Sequence, residues 1–196
     1  MGVAVYPADG ADAGTLYRNA EAALKRAKDS GERYLFYTPH INARVAGRLD
    51  LENRLRKAVE LQQFVLHYQP KVDLRTSQIT GLEALIRWND PDTGLMPPVQ
   101  FIPLLEETGL IREVGHWAME EAIRTHRTWR DRGLRPPRIA VNMSSIQLRQ
   151  RDLVEEIRSV VDGAGEESGM DIEITESLMM ENIEESIGKL QSIRDL

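Results

Sequence analysis

The stretch GLEALIRW, residues 81–88, decides how this chain folds. It reads as an apolar strand that carries an acid, Glu83, and a base, Arg87, four residues apart. Strand side chains alternate faces, so Glu83, Leu85 and Arg87 share one side and Leu82, Ala84 and Ile86 the other. A second apolar stretch, FVLHYQPKVDL at 64–74, lies just upstream and is joined to it by a turn around Thr76-Ser77. That join is too short for a helical crossover, so the two strands, read as 64–74 and 78–89, are expected to pair antiparallel.

Downstream the period changes. After the turn-rich loop NDPDTGLMPP, residues 101–108 and 113–132 read as helices, the second with Val114, Ala118, Ala122 and Trp129 on one side. Residues 138–144 form a strand, Leu153 to Val161 mark a helix, 171–177 a strand, and Ile183, Ile187 and Leu190 a last helix. Strands alternating with helices imply parallel β/α units, either a barrel or an open wound sheet. Upstream, residues 2–6 read as a short strand, Asp12 as the cap of a helix that stops at Gly31, and 34–37 as another strand. Residues 40–48 read as a polar connector, followed by an amphipathic helix through about 61.

Composition narrows the function. The chain of 196 residues is 41% hydrophobic and 29% charged, which suits a globular protein, and its net charge of -6 argues against general affinity for nucleic-acid polymers or anionic membranes. With no cysteine, neither disulfides nor thiolate zinc sites are available, and a cytoplasmic location is the default expectation. The four histidines show no HExxH or other ligand spacing and read as surface or satisfied residues. GVAVYP follows Met1 at once and KLQSIRDL stops inside a helical pattern, so both ends read as cut.

The strands of the second region share one asymmetry. Val65, His67, Gln69 and Lys71 lie on one face of their strand; Ala140, Asn142 and Ser144 lie opposite Ile139, Val141 and Met143; Asp171, Glu173 and Thr175 lie opposite Ile172 and Ile174. Taken singly, Glu83 reads as a solvated or edge-strand residue, Asn142 as a turn or cap, and Glu176 as a helix cap. The recurrence of acids and amides toward strand C-terminal ends, where β/α folds place their sites, points to an oxygen-rich site. Glu83, Asn142 and Glu173 would suit Mg²⁺ or Mn²⁺ rather than zinc, and Arg87 and Gln69 could hold phosphate oxygens or a polar ring edge.

The ordered set YQPK, EALIRW, FIPLLEETGLI, VNMSS and EITES closely resembles the EAL family of cyclic di-GMP phosphodiesterases, over about residue 49 to the C-terminus. Residues 1–39 resemble the final strand, helix and strand of a GGDEF domain, with Lys25 where the ALYxAK element has Tyr and without the GGDEF motif itself. The resemblance implies a tandem parent: a GGDEF tail at 1–39, a connector at 40–48, and the N-terminal part of an EAL domain at 49–196. The fold expected is α/β, the first part of a modified TIM-like β/α barrel with an antiparallel first strand pair.

It also implies roles. Glu83, Asn142 and Glu173 match metal ligands for Mg²⁺ or Mn²⁺, Glu83 being counted catalytic as well. Glu176 matches the acid that supports a neighbouring active-site loop. Gln69, Arg87 and Asn142 match positions that meet cyclic di-GMP. The reaction implied is hydrolysis of cyclic di-GMP to linear pGpG in bacterial signalling. Upstream sensory domains, an anchor outside this stretch and homodimerisation through the EAL domain are further implications for the parent. The family's downstream Asp-Asp pair and catalytic Lys do not occur here, and Asn89-Asp90 stands where a more basic or amide pair is common. The isolated half barrel is therefore expected to be inactive, and a non-catalytic cyclic di-GMP receptor is the alternative.

Overall fold

The computed structural model describes residues 1–163, 168–174 and 183–196, which divide into two units, Met1–Arg54 and Leu55–Leu196. In the first unit, β1 (Gly2–Val3) pairs parallel with β2 (Leu35–Phe36), and α1 (Ala13–Asp29) makes the crossover. Asp12 caps α1 as its position suggests, accepting from the Thr15 amide at 2.9 Å and the Thr15 hydroxyl at 2.7 Å. These bonds hold its carboxyl below the usual aspartate range. Ala23 and Ala27 are buried on the inner side of α1. Both strands are shorter than their apolar runs suggest, with two residues each in the ladder.

Residues 40–48, expected as a connector, are helical: α2 runs Pro39–Glu60. Proline is favoured in the first turn of a helix, and the run of Ala, Arg and Leu that follows holds no breaker stronger than Gly47. In the second unit Leu55 and Ala58 of this helix are fully buried.

The second unit is built on one sheet. β3 (Phe64–Val72) and β4 (Ile79–Asp90) form the expected antiparallel hairpin, with Gln69 opposite Glu83 and Val65 opposite Arg87. Asp73 closes the turn by accepting from the amides of Arg75 and Thr76, both at 2.8 Å. The loop expected after β4 contains a further short strand, β5 (Gly94–Met96), paired antiparallel with the end of β4. It is held by Asp90, whose buried carboxylate accepts from the Thr93 amide at 3.2 Å and from the Thr93 hydroxyl. A 3-10 turn (Pro98–Gln100), α3 (Ile102–Thr108) and α4 (Ile111–Asp131) lead to β6 (Ile139–Asn142), which lies parallel to β4. Then come α5 (Ser145–Leu148), α6 (Leu153–Asp162), β7 (Met170–Glu173) parallel to β6, and α7 (Ile183–Arg194). The strand order is β3-β4-β6-β7.

The period-2 pattern sorts the sheet into two faces. Ala84, Ile139, Val141 and Met170 face the helices, meeting Ala118, Met119, Ala122 and Ile123 of α4, Leu148 of α5, and Leu153, Ile157 and Val160 of α6. Each large aliphatic side chain buried here contributes about 1.5–3 kcal/mol. Next to them Trp88, fully buried, packs against Phe64 and Phe101 at ring-centroid distances of 6.4 and 6.1 Å. Half-buried Tyr68 donates to the Thr125 hydroxyl at 3.0 Å, and burial raises its hydroxyl above the ordinary tyrosine range.

Candidate active site on the polar face of the sheet

The face turned away from the helices carries the acids and amides. Strand register puts Gln69, Glu83, Ala140 and Asp171 in one row across four strands, and Asn142 beside Glu173 two residues further along. Ala140 is the small member of the row, so the side chain of Asn142 leans past it toward β4. There its Nδ2 donates to Glu83 Oε1 at 2.8 Å. Glu173 is bound by the ammonium of Lys71, which reaches over from β3, where it shares a face with Gln69. Asp171 is held apart from the cluster by Arg138, whose Nε donates to its Oδ1 at 2.6 Å.

Of the six residues singled out in the sequence, four meet here. Glu83, Asn142 and Glu173 come from three neighbouring strands, and Gln69 is the register partner of Glu83. Arg87 is on the same face but four residues beyond Glu83, roughly 13 Å along the strand. β4 outruns β6, which pairs only with Leu82 to Ala84, so Arg87 stands past the C-terminal edge of the parallel strands. Its Nη1 donates to the Ile86 carbonyl at 2.8 Å. Glu176 lies outside the described residues.

Three residues were not assigned a role from sequence. Lys71 falls on the polar face by simple alternation, but nothing in the spacing marks a lysine on β3 as the counter-ion of a glutamate on β7. Ser144 and Gln147 form a capping box at α5, for which the pattern S-x-x-Q is the visible signal.

The donor set fits a hard divalent cation. Among the described residues no three acidic or imidazole groups converge, so the third donor beside Glu83 and Glu173 would be the Asn142 amide oxygen. Carboxylate and amide oxygens are what Mg²⁺ and Mn²⁺ prefer, and Glu173 already holds a positive group in the form of the Lys71 ammonium. A mostly apolar cavity of about 380 Å³ opens beside Asn142, where the ends of β4 and β6 meet α3, α4 and α5; Leu85, Ile102, Glu106 and Ser144 are among its walls.

Residues 52–196 match the EAL domain family. The chain belongs to that family. Among relatives of the EAL chain, the bifunctional diguanylate cyclase/cyclic di-GMP phosphodiesterase MucR of Pseudomonas aeruginosa is 41% identical over 195 residues, which are 98% of this chain and 28% of that protein. The cyclic di-GMP phosphodiesterase PdeR of Escherichia coli is 38% identical over 198 residues, 100% of this chain and 30% of that protein. The EAL chain thus spans less than a third of either relative. Among solved structures, a complex of the PaMucR phosphodiesterase with c-di-GMP superposes with a TM-score of 0.71 at 41% identity, covering 74% of this chain and 60% of that one. The TIM-like α/β architecture expected from the sequence is the one these EAL neighbours share.

Proposed function

We propose that this chain supplies the first part of the site of a divalent-metal-dependent phosphodiesterase that opens cyclic di-GMP to linear pGpG. The observation that carries the reading is the convergence of Glu83, Asn142 and Glu173 on one sheet face, with Glu83 and Asn142 in contact. Relatives named as cyclic di-GMP phosphodiesterases support the substrate.

Glu83, Asn142 and Glu173 would hold Mg²⁺ or Mn²⁺. Such an ion supplies an activated water and positive charge at the phosphoryl oxygens. Arg87, on the overhanging end of β4, offers a planar pair of donors to a phosphate oxygen, for which its guanidinium leaves the Ile86 carbonyl. Gln69 offers an amide to the substrate from the adjacent strand. Glu176 is assigned to support of the active-site loop. The polar face, turned away from the packed helices, is the side on which a cyclic dinucleotide would lie.

Residues 1–39 are read as the tail of a GGDEF-type domain, on their strand-helix-strand order and the Ala23-Leu24 to Ala27-Lys28 element. No helix among the described residues is long and apolar enough to cross a membrane. We assign the domain to the cytoplasm because the substrate proposed for it is an intracellular second messenger.

The test is to incubate the full-length protein that carries this EAL region with cyclic di-GMP and Mn²⁺ and follow pGpG by chromatography. Turnover that Glu83→Ala abolishes supports the phosphodiesterase. Binding of cyclic di-GMP without pGpG overturns it and leaves a receptor.

A further inference from the structure

We propose that Gln147 is a positioning residue for Asn142, held in place by Gly115. The inference rests on the reading of Asn142 as a metal ligand. Asn142 itself is exposed, so packing does little to fix its side chain. Its direction is set by the backbone where β6 ends and α5 begins.

That junction is pinned by two reciprocal bonds. The Ser144 amide donates to Gln147 Oε1 at 3.1 Å, and the Gln147 amide donates to Ser144 Oγ at 3.3 Å. α5 has four residues, far too few to persist by helix propensity, so its cap and its docking hold it. Docking falls on Gln147, which is 4% exposed although polar. A buried amide is costly unless bonded, which ties its position to the Ser144 amide.

On the other side stands Gly115 of α4. A Cβ there would lie 1.9 Å from Gln147 Nε2 and 2.8 Å from its Cδ. Glycine at 115 therefore leaves room for the Gln147 amide, and a larger residue forces that amide to shift from its place. The next backbone bond, from the Met143 amide to the Glu173 carbonyl at 2.9 Å, passes the same constraint to β7. Gly115, Gln147 and Ser144 thus link a core helix to two residues of the candidate metal set.

The experiment uses the full-length protein that carries this EAL region and measures Mn²⁺ affinity without substrate, by the electron paramagnetic resonance of free Mn²⁺, and then kcat and KM at saturating Mn²⁺. Gln147→Ala and Gly115→Ala are expected to weaken Mn²⁺ about tenfold, the lower end of what partners of metal ligands usually contribute. KM for cyclic di-GMP at saturating Mn²⁺ should stay within about twofold, a split that general loosening would not produce. Gln147→Glu keeps an acceptor for the Ser144 amide and should restore most of the affinity. Ser144→Ala removes half of the box without filling or emptying the buried space, so it serves where the other variants fail to fold, and it should also weaken Mn²⁺. Wild-type affinity in Gln147→Ala or Ser144→Ala, with affinity lost in Asn142→Ala, overturns the inference alone. Wild-type affinity in Asn142→Ala overturns the ligand reading and the inference with it.

Discussion

Gly169 immediately precedes β7 at φ +66°, and the imidazole of His126, buried on α4, stands directly over it. A Cβ at 169 would lie 2.1 Å from His126 Nδ1, 2.2 Å from Cε1 and 2.4 Å from Cγ. Gly169→Ala therefore pays twice. The left-handed backbone costs an L-residue about 1–2 kcal/mol, and forcing a methyl into a filled space costs about 1–3 kcal/mol more. Gly133, at φ +81° with nothing within 4 Å of a built Cβ, isolates the first term. Urea unfolding of both variants should show Gly169→Ala losing about 1–3 kcal/mol more than Gly133→Ala, out of the 5–15 kcal/mol typical of a domain. The double variant His126→Ala/Gly169→Ala, read against His126→Ala alone, should recover that excess. Equal losses at 133 and 169, or no recovery in the double variant, would refute the argument that the ring sets the cost.

Trp88→Ala should lose about 3–5 kcal/mol in the same assay, because a fully buried indole packed between Phe64 and Phe101 leaves a large void. Lys71→Met should leave the thermal melt nearly unchanged, since its pair with Glu173 is half-exposed and such pairs contribute about 0–1 kcal/mol. By calorimetric titration the same variant should bind Mn²⁺ more tightly, the ammonium no longer competing for Glu173; a weaker complex would show instead that Lys71 orients the carboxylate. Tyr68 ionises in the unfolded chain near pH 10 but only above that in the fold, where burial disfavours the phenolate. Its contribution is complete below pH 10 and is lost as pH rises through the higher folded value. The urea midpoint should fall more between pH 9 and 11 in the wild type than in Tyr68→Phe.

Much of the fold was legible because one face of the main sheet is packed. Leu82, Ala84, Ile86 and Trp88 alternate with Glu83, Leu85 and Arg87, and a single-residue slip would bury the charged set. That alternation also separated the candidate site residues from the core before any register was known. β5 was missed because three residues, Gly94-Leu95-Met96, sit between turn formers and carry no period of their own; Asp90 holds them by tertiary contact. The start of α2 was missed because residues 40–48 are polar, and polarity says nothing against a helix where no breaker intervenes. Contacts between distant strands, such as Lys71 with Glu173, depend on strand order, which alternation alone does not provide.

The reversed direction of β3 has a practical consequence. Its hairpin turn, residues 73–78, projects from the opposite end of the sheet to Arg87, and Leu74 at its tip is 96% exposed. Five residues of strand, roughly 17 Å, separate Gln78 from Glu83. A fluorophore or short peptide tag spliced into this turn would ride on the same rigid hairpin as Glu83 while staying clear of a substrate, making it a natural mounting point for a reporter of ligand binding.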